Sequence, residues 1–590
     1  MRQLWCGAMA TSGTGTPDTV AELVLRRWGD HRTGLRDHET TLSHHRAVRE
    51  SAARAALLVD LLPRGAEPHL GILLDNTPEF PLWLGAAALA GAAVAGINPT
   101  RRGPELARDV LHTDCRVLLT EPAHLPLLAG LHLPGVRILV TGTEEYAALL
   151  APYADAVPGE AVLRPGGPRP ADRLLLYFTS GSTGAPKAAL CTQRRLARAG
   201  AALARRFRVT PEDVHYICMP MFHGNAVIAD WAPALHAGAG IALRRRFSAS
   251  AFLDDVRRFD ATYFTYVGRA VQYLLATPPR PDDRDHPLRT GFGTEAGAVD
   301  AARFADRFGV PLVEGYGSSE GGAAVQHTDD TPPGAIGRAA PGDDLAVVDP
   351  RTRQERPPAR TGPDGTLTGV AEAIGELVNR GRSPFEGYWR NPEAEAARLR
   401  DGWYWTGDLF YRDESGFLYF AGRTDDRLRV DSENLAAAMI ENILARWPAA
   451  AAVAVHAVPD EVAGDQVMAA LALHPGTAFD PGAFAAFLAA QPDLGTKMAP
   501  RYLRIVPSMP VTATNKVHRV ALRRAAFLPH PPEPAPASEP AQATAPAPVT
   551  GPVWWRPPGA PGYRPLSAAD LAGLLAAYED HGRSGLLGLS

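Results

Sequence analysis

Cysteine is scarce. Four residues in 590 (Cys6, Cys115, Cys191 and Cys218) show no paired spacing. This argues against a disulfide framework or a zinc site and fits a reducing, cytoplasmic setting. There is no excess of positive charge: 60 Lys+Arg against 64 Asp+Glu give a formal net charge of −4. Nucleic acid is therefore not expected as the main partner. No basic-then-apolar signal pattern opens the chain, and no internal repeat is visible. A membrane-spanning helix needs about 20 strongly apolar residues. The nearest approach, PLWLGAAALAGAAVAGI at 81–97, is 17 residues long, opens on Pro81 and is rich in alanine and glycine. It reads as a buried helix running into a buried strand. No transmembrane segment is expected, although peripheral membrane contact is compatible.

What is present is ordinary globular material, 46% hydrophobic and 21% charged, in a chain long enough for two to four domains. From Thr19 to about residue 420, short β-rich runs such as HLGILLD (69–75), VRILVTG (136–142), VHYICMP (214–220) and ATYFTYV (261–267) alternate with alanine-rich helical stretches. That alternation predicts an α/β fold: a large N-terminal domain of layered mixed sheets and helices over 1–422. Residues 423–528 suit a small α+β domain, with paired strands at 450–460 and 465–475 and a helix at 481–492. Residues 529–562 are mostly proline and alanine, and composition assigns them to an extended linker. The tail 563–590 carries a short helix over 567–583, N-capped by Ser567, with Leu571, Leu574, Leu575 and Tyr578 on one face.

Five segments carry chemistry. In YFTSGSTGAPKAAL (177–190) an apolar strand precedes Thr179, Ser180, Gly181, Ser182, Thr183, Gly184 and Lys187. Hydroxyls, glycines and one cation on such a loop suit polyphosphate oxygens, although the spacing is not that of the common nucleotide loop. In VPLVEGYGSSEGG (310–322) Glu320 stands behind hydroxyls, a donor set for a hard cation such as Mg²⁺. In DGWYWTGDLFYRDESGFLYFAGRTDD (401–426) Asp408 can accept from a ribose diol, and Arg423 can reach the same sugar or a phosphate. RVDSENLAAAMIEN (429–442) is a loop entering a helix, and PVTATNKVHRVALR (510–523) is a turn ending in Lys516. Taken singly, each has a bland reading as a surface charge or turn cap; taken together, in this order, they do not.

In that order the five segments resemble the adenylate-forming superfamily of acyl-CoA synthetases, luciferases and peptide-synthetase adenylation domains, over about residues 20–525. GELVNRGRSPFEGYWRNPEAEAARLRDGWYWTGDL (375–409) carries the resemblance continuously. PKAA (186–189), FTYVGRAVQYLL (264–275) and DHPLR before GFGTEAG (285–297) are similar to the very-long-chain acyl-CoA synthetase and fatty-acid-transport-protein branch. NPTRRG (98–103) is similar to actinobacterial fatty-acid-CoA ligases. The resemblance implies an ATP-dependent fatty-acyl-CoA ligase. A carboxylate attacks MgATP to give acyl-AMP and pyrophosphate, and coenzyme A then gives the thioester and AMP. It implies that residues 179–187 cradle the β- and γ-phosphates, that Gly293, Thr294 and Glu295 border adenine, and that Gly315, Tyr316, Gly317 and Ser318 form the turn whose tyrosine stacks on the base. Ser319 would touch the α-phosphate, Glu320 hold Mg²⁺, and Asp408 and Arg423 fix the ribose. Lys516 would bridge the substrate carboxylate and the α-phosphate, where charge builds in the transition state. His223, Tyr266 and Gly268 would lie by the acid. Asp425 would be the hinge between two poses of the small domain, with Ser432 and Glu433 in the loop lining the pantetheine tunnel.

Three departures stand out. Asn515 replaces glycine before the lysine and is tolerable at positive φ. Arg269 replaces an acidic residue. Ser432 replaces glycine, narrowing the thiol's approach. The last keeps open an acyl-AMP ligase delivering to a carrier protein; a non-catalytic lipid-binding protein of the same fold is the third reading, disfavoured by the complete site set.

Overall fold

The computed structural model describes residues 17–179, 187–317, 320–340, 343–362, 367–381, 385–423, 427–430, 433–462, 464–491, 494–495, 497–512, 516–529 and 549–587. The body rests on two sheets. One runs in the order Arg137–Val140, Val117–Thr120, His69–Leu73, Ala93–Gly96, Arg173–Phe178, Ala188–Thr192, parallel except for the last pair. The other runs Leu312–Glu314, Thr290–Thr294, Tyr263–Val267, Val214–Ile217, Gly240–Leu243, Thr33–Arg36, Thr41–Ser43, again parallel except at its end. Strands covered on both faces read as continuous apolar runs, and all five residues of His69–Leu73 are buried.

The stretch 81–97 folds as its composition predicts. Helix Glu79–Ala90 is buried from Phe80 onward, and Gly91 ends it in the left-handed conformation at φ 80°, where a Cβ is disfavoured. Strand Ala93–Gly96 follows, fully buried. Among the described residues no helix is long and apolar enough to cross a membrane.

A third sheet is antiparallel: Leu345–Val348, Gly375–Asn379, Trp403–Arg412 and Leu399–Arg400, with Leu418–Arg423 on the other side of the long strand. Beyond it come the hairpin Arg427–Val430/Glu433–Ala436 and helix Ala437–Leu444. A five-stranded sheet follows in the order Ala450–Pro459, Asp465–Leu473, Tyr502–Val506, Val553–Trp555, Arg564–Pro565, with helix Pro481–Ala489 packed against it through Phe484 and Leu488.

Within the stretch 529–562, expected as a linker, residues 530–548 lie outside the described residues, and Val553–Trp555 forms a strand. Val553–Trp555 pairs antiparallel with Tyr502–Val506. This short run has the large apolar area that the proline–alanine stretch lacks, and Pro552 and Pro557 flank the ladder instead of interrupting it. Helix Ala568–Asp580 then folds back, with Ser567 and Asp570 forming a reciprocal cap. It buries Leu574 and Tyr578 in a cluster with Tyr502, Phe527 and Trp555. Phe527 stacks on Tyr502 at 4.8 Å. Burying side chains of this size contributes about 2–3 kcal/mol each. Arg504, 1% exposed, donates to the carbonyls of Ala526 (2.8 Å), Leu528 (2.7 Å) and Gly551 (3.2 Å). One buried guanidinium thus ties the chain just past helix Arg519–Ala525 to the start of the tail.

Candidate active site

Parallel strands open their carboxyl ends into a crevice. Register aligns Tyr266 with Gly293, and Gly293 with Glu314. Glycine is required at 268, where a Cβ would stand 1.7 Å from the Glu295 carbonyl oxygen. The turn that follows Thr294 carries Glu295 at φ 70°, a left-handed conformation rare for a residue with a side chain. Glu314 holds this turn. Its Oε1 accepts from the Ala296 amide (3.0 Å) and from the Tyr266 hydroxyl (2.8 Å). Burial pushes the Glu314 carboxyl up to about 8. Glu314 lies within the segment 310–322 but carries no motif role there; its signal in the sequence is a carboxylate placed between an apolar strand and the Gly-Tyr-Gly turn. Tyr266 is fully buried, with its hydroxyl engaged by Glu314.

A second group forms where the antiparallel sheet meets that turn. Tyr316 donates to Asp408 Oδ2 at 2.7 Å and sets its ring edge-on to Phe410 at 4.8 Å. Asp408 follows Gly407, which lies at φ 73° with its amide on Glu376, and its own amide donates to Thr406 Oγ1 at 3.1 Å. Across the ladder its register partner is Arg423, so the two residues predicted to share a ribose are neighbours in backbone. Glu320, 6% exposed, accepts from the Tyr388 hydroxyl at 3.0 Å. Arg398 donates to Tyr388 Oη (3.4 Å) and to the carbonyl of Thr406 (2.5 Å). Tyr316, Glu320, Arg398, Tyr404, Thr406 and Asp408 line one small cleft. Tyr388 and Arg398 lay within the 375–409 resemblance but carried no role there.

The third element is Lys516. Its backbone closes a turn with Thr512, and its ammonium lies 2.7 Å from Glu295 Oε1. His223 is a half-buried imidazole pushed down to about 4, by desolvation first and then by the charge of Lys516. It is therefore neutral near pH 7 and within the field of the lysine. Thr179 donates its amide to the Lys187 carbonyl at 3.0 Å, closing the base of the predicted phosphate loop. Ser180, Gly181, Ser182, Thr183 and Gly184, together with Ser318, Ser319, Asp425, Ser432 and Asn515, lie outside the described residues. Gly315 donates to the Gly293 carbonyl at 2.8 Å and Gly317 continues that turn; Glu433 begins a hairpin strand. Arg269 donates to Gln272 at 2.9 Å and covers the Tyr273 ring on its own helix.

Residues 21–389 match the family model described as AMP-binding enzyme, and 439–516 match that of the AMP-binding enzyme C-terminal domain. The chain belongs to the AMP-binding enzyme family. It is 47% identical over 574 residues to the steroid-22-oyl-CoA synthetase of Rhodococcus jostii, covering 96% of this chain and 99% of that protein. It is 45% identical over 505 residues to the medium/long-chain-fatty-acid–CoA ligase FadD17 of Mycobacterium tuberculosis, covering 85% and 96%. In fold it matches the crystal structure of the anthranilate CoA ligase AuaEII with anthranoyl-AMP at a TM-score of 0.74 and 22% identity, covering 87% and 98%. The chain is an AMP-forming acyl-CoA ligase: it uses a carboxylic acid, ATP and coenzyme A, and passes through an acyl-adenylate.

Proposed function

We propose that this ligase activates a large apolar carboxylic acid, a steroid side-chain acid first and a medium- or long-chain fatty acid second, with Lys516 as the adenylation lysine. One observation carries the lysine assignment. Lys516 comes from a turn far along the chain, yet its ammonium sits 2.7 Å from Glu295, on the turn beside Gly293 and Gly315. A cation there can draw together two anions, a carboxylate and an α-phosphate, and offset the charge that builds between them. Residues 179–187 would take the terminal phosphates, the turn 293–295 would border adenine with Tyr316 on the base, and Ser319 would meet the α-phosphate. Asp408 and Arg423 would take the ribose diol. His223, neutral and half-buried, would face the acid near Tyr266 and Gly268, and Asp425, Ser432 and Glu433 would serve the hinge and thiol entry.

Mg²⁺ fits the donor set. Glu320 is a hard oxygen ligand lining the same cleft as Asp408, and Tyr388 orients it through Oε1. Bound there, the ion would neutralise phosphate charge. The acid class is supported by coverage: similarity to the steroid-22-oyl-CoA synthetase extends over 96% of this chain, beyond the 85% shared with FadD17. Three described cysteines, Cys115, Cys191 and Cys218, are free and buried, which supports a reducing cytoplasmic setting.

The test is product mass spectrometry with MgATP, coenzyme A and a pool of steroid side-chain acids and fatty acids. Steroid acyl-CoA as the dominant product supports the first reading. Fatty acyl-CoA alone supports the second. Acyl-AMP without thioester directs attention to a carrier protein as acceptor. Normal adenylation by Lys516→Ala overturns the lysine assignment.

A further inference from the structure

The Lys516–Glu295 ion pair joins two parts of the chain 221 residues apart. Its two ends differ. Glu295 stands on a pinned turn: φ 70°, its carbonyl packed on Gly268, and the next amide held by Glu314. An outlying backbone held this firmly by its surroundings points to a functional constraint. Lys516 stands on a turn at the surface, and both side chains are about half exposed, at 48% and 45%. An ion pair so exposed is weak and exchangeable, unlike a buried one. His223 offers no competing charge, since desolvation keeps it neutral near pH 7.

We propose that Glu295 is a positioning residue whose carboxylate is the resident anion for Lys516. It holds the lysine over the empty site and yields it to the incoming substrate carboxylate and α-phosphate. This rests on the reading of Lys516 given above. Two consequences follow. Glu295 competes with the acid for the lysine, so the acid pays for displacing it. Glu295 also anchors the lysine-bearing domain against the body before substrates arrive.

The experiment uses the full chain carrying Glu295→Gln, with Glu295→Asn as a second variant because asparagine accepts left-handed backbone, and Glu295→Asp as the conservative variant. Acyl-AMP formation is followed by hydroxamate trapping with the best acid from the product screen. The expected result is a fall in the acid KM of about threefold, the size an exposed ion pair carries, in a direction opposite to any loss that the adenine-bordering turn shows in the KM for ATP or in kcat. Glu295→Asp should restore most of the wild-type KM. Spin labels on the body and the C-terminal sheet should show a broader distance distribution in the substrate-free Gln variant. An acid KM that stays unchanged or rises in both folded charge-removing variants overturns the proposal. Lys516→Ala separates the two levels. If it abolishes adenylation while the Glu295 variants keep the wild-type KM, only the role of Glu295 fails. If it adenylates normally, the lysine reading fails first.

Discussion

The two halves of the site are built in opposite ways. Around Tyr316 the groups are buried or half-buried and committed to one another: Tyr316 to Asp408, Tyr388 to Glu320, and Arg398 to backbone carbonyls. At Lys516 the body meets a turn beyond it through a half-exposed ion pair. A ligand that stays through both half-reactions needs the first kind of surface, pre-organised by packing and hydrogen bonds. A group that must arrive and depart needs the second. On the proposed reading, fixed recognition falls to the sheets and the mobile charge to the far turn.

Tyr578→Ala sets the scale for a fully buried contact, in the C-terminal aromatic cluster away from the site. It empties a fully buried aromatic site and removes a hydroxyl bond to the Pro459 carbonyl. A loss of about 3–5 kcal/mol is expected, read as a lower midpoint in urea unfolding. Lys516→Ala tests the exposed half. Adenylation should fall by about 10²–10³-fold in a hydroxamate assay, while the melting temperature stays near wild type because the side chain is 48% exposed. Asp408→Ala leaves the Tyr316 hydroxyl without its partner. The KM for ATP should rise by about tenfold, the cost of a lost bond to a charged group; a change in acid KM alone would break the assignment to the ribose.

The last prediction concerns pH. Burial raises the Glu314 carboxyl to about 8, above an ordinary glutamate. The folded protein therefore binds more protons here than the unfolded chain between those two values. Its contribution to stability is fully present below the ordinary glutamate value and is lost as pH rises toward 8. The slope is about 1 kcal/mol per pH unit. Glu314→Gln keeps a partner for Tyr266 and Ala296 and should flatten the slope between about pH 5 and 8 in urea titrations. An unchanged slope assigns it elsewhere.

Much of this architecture was legible in the chain. The run 81–97 read as a helix and a strand because it is too short and too rich in alanine and glycine to span a membrane. Asp408 and Arg423 were assigned to one sugar by their chemistry, and the ladder sets them opposite one another. The cap at Ser567 and the apolar face through Leu574 and Tyr578 were also readable. Other features depend on distant partners. Glu314 matters through Tyr266 and the Ala296 amide, which strand register alone brings near. Glu320 needs Tyr388, and Tyr388 needs Arg398. Val553–Trp555 sits in a proline-rich context that composition reads as linker, and only the open edge of Tyr502–Val506 makes it a strand.

Arg504 has a consequence for handling the protein. Because its guanidinium grips carbonyls on both sides of residues 530–548, the tail is held to the C-terminal sheet by strand pairing, a buried aromatic cluster and one shared cation, as well as by covalent continuity. A protease cut within that stretch would yield two fragments that travel together through purification under native conditions and separate in denaturant. Residues 549–587 are thereby expected to act as a complementing fragment that could be supplied in trans.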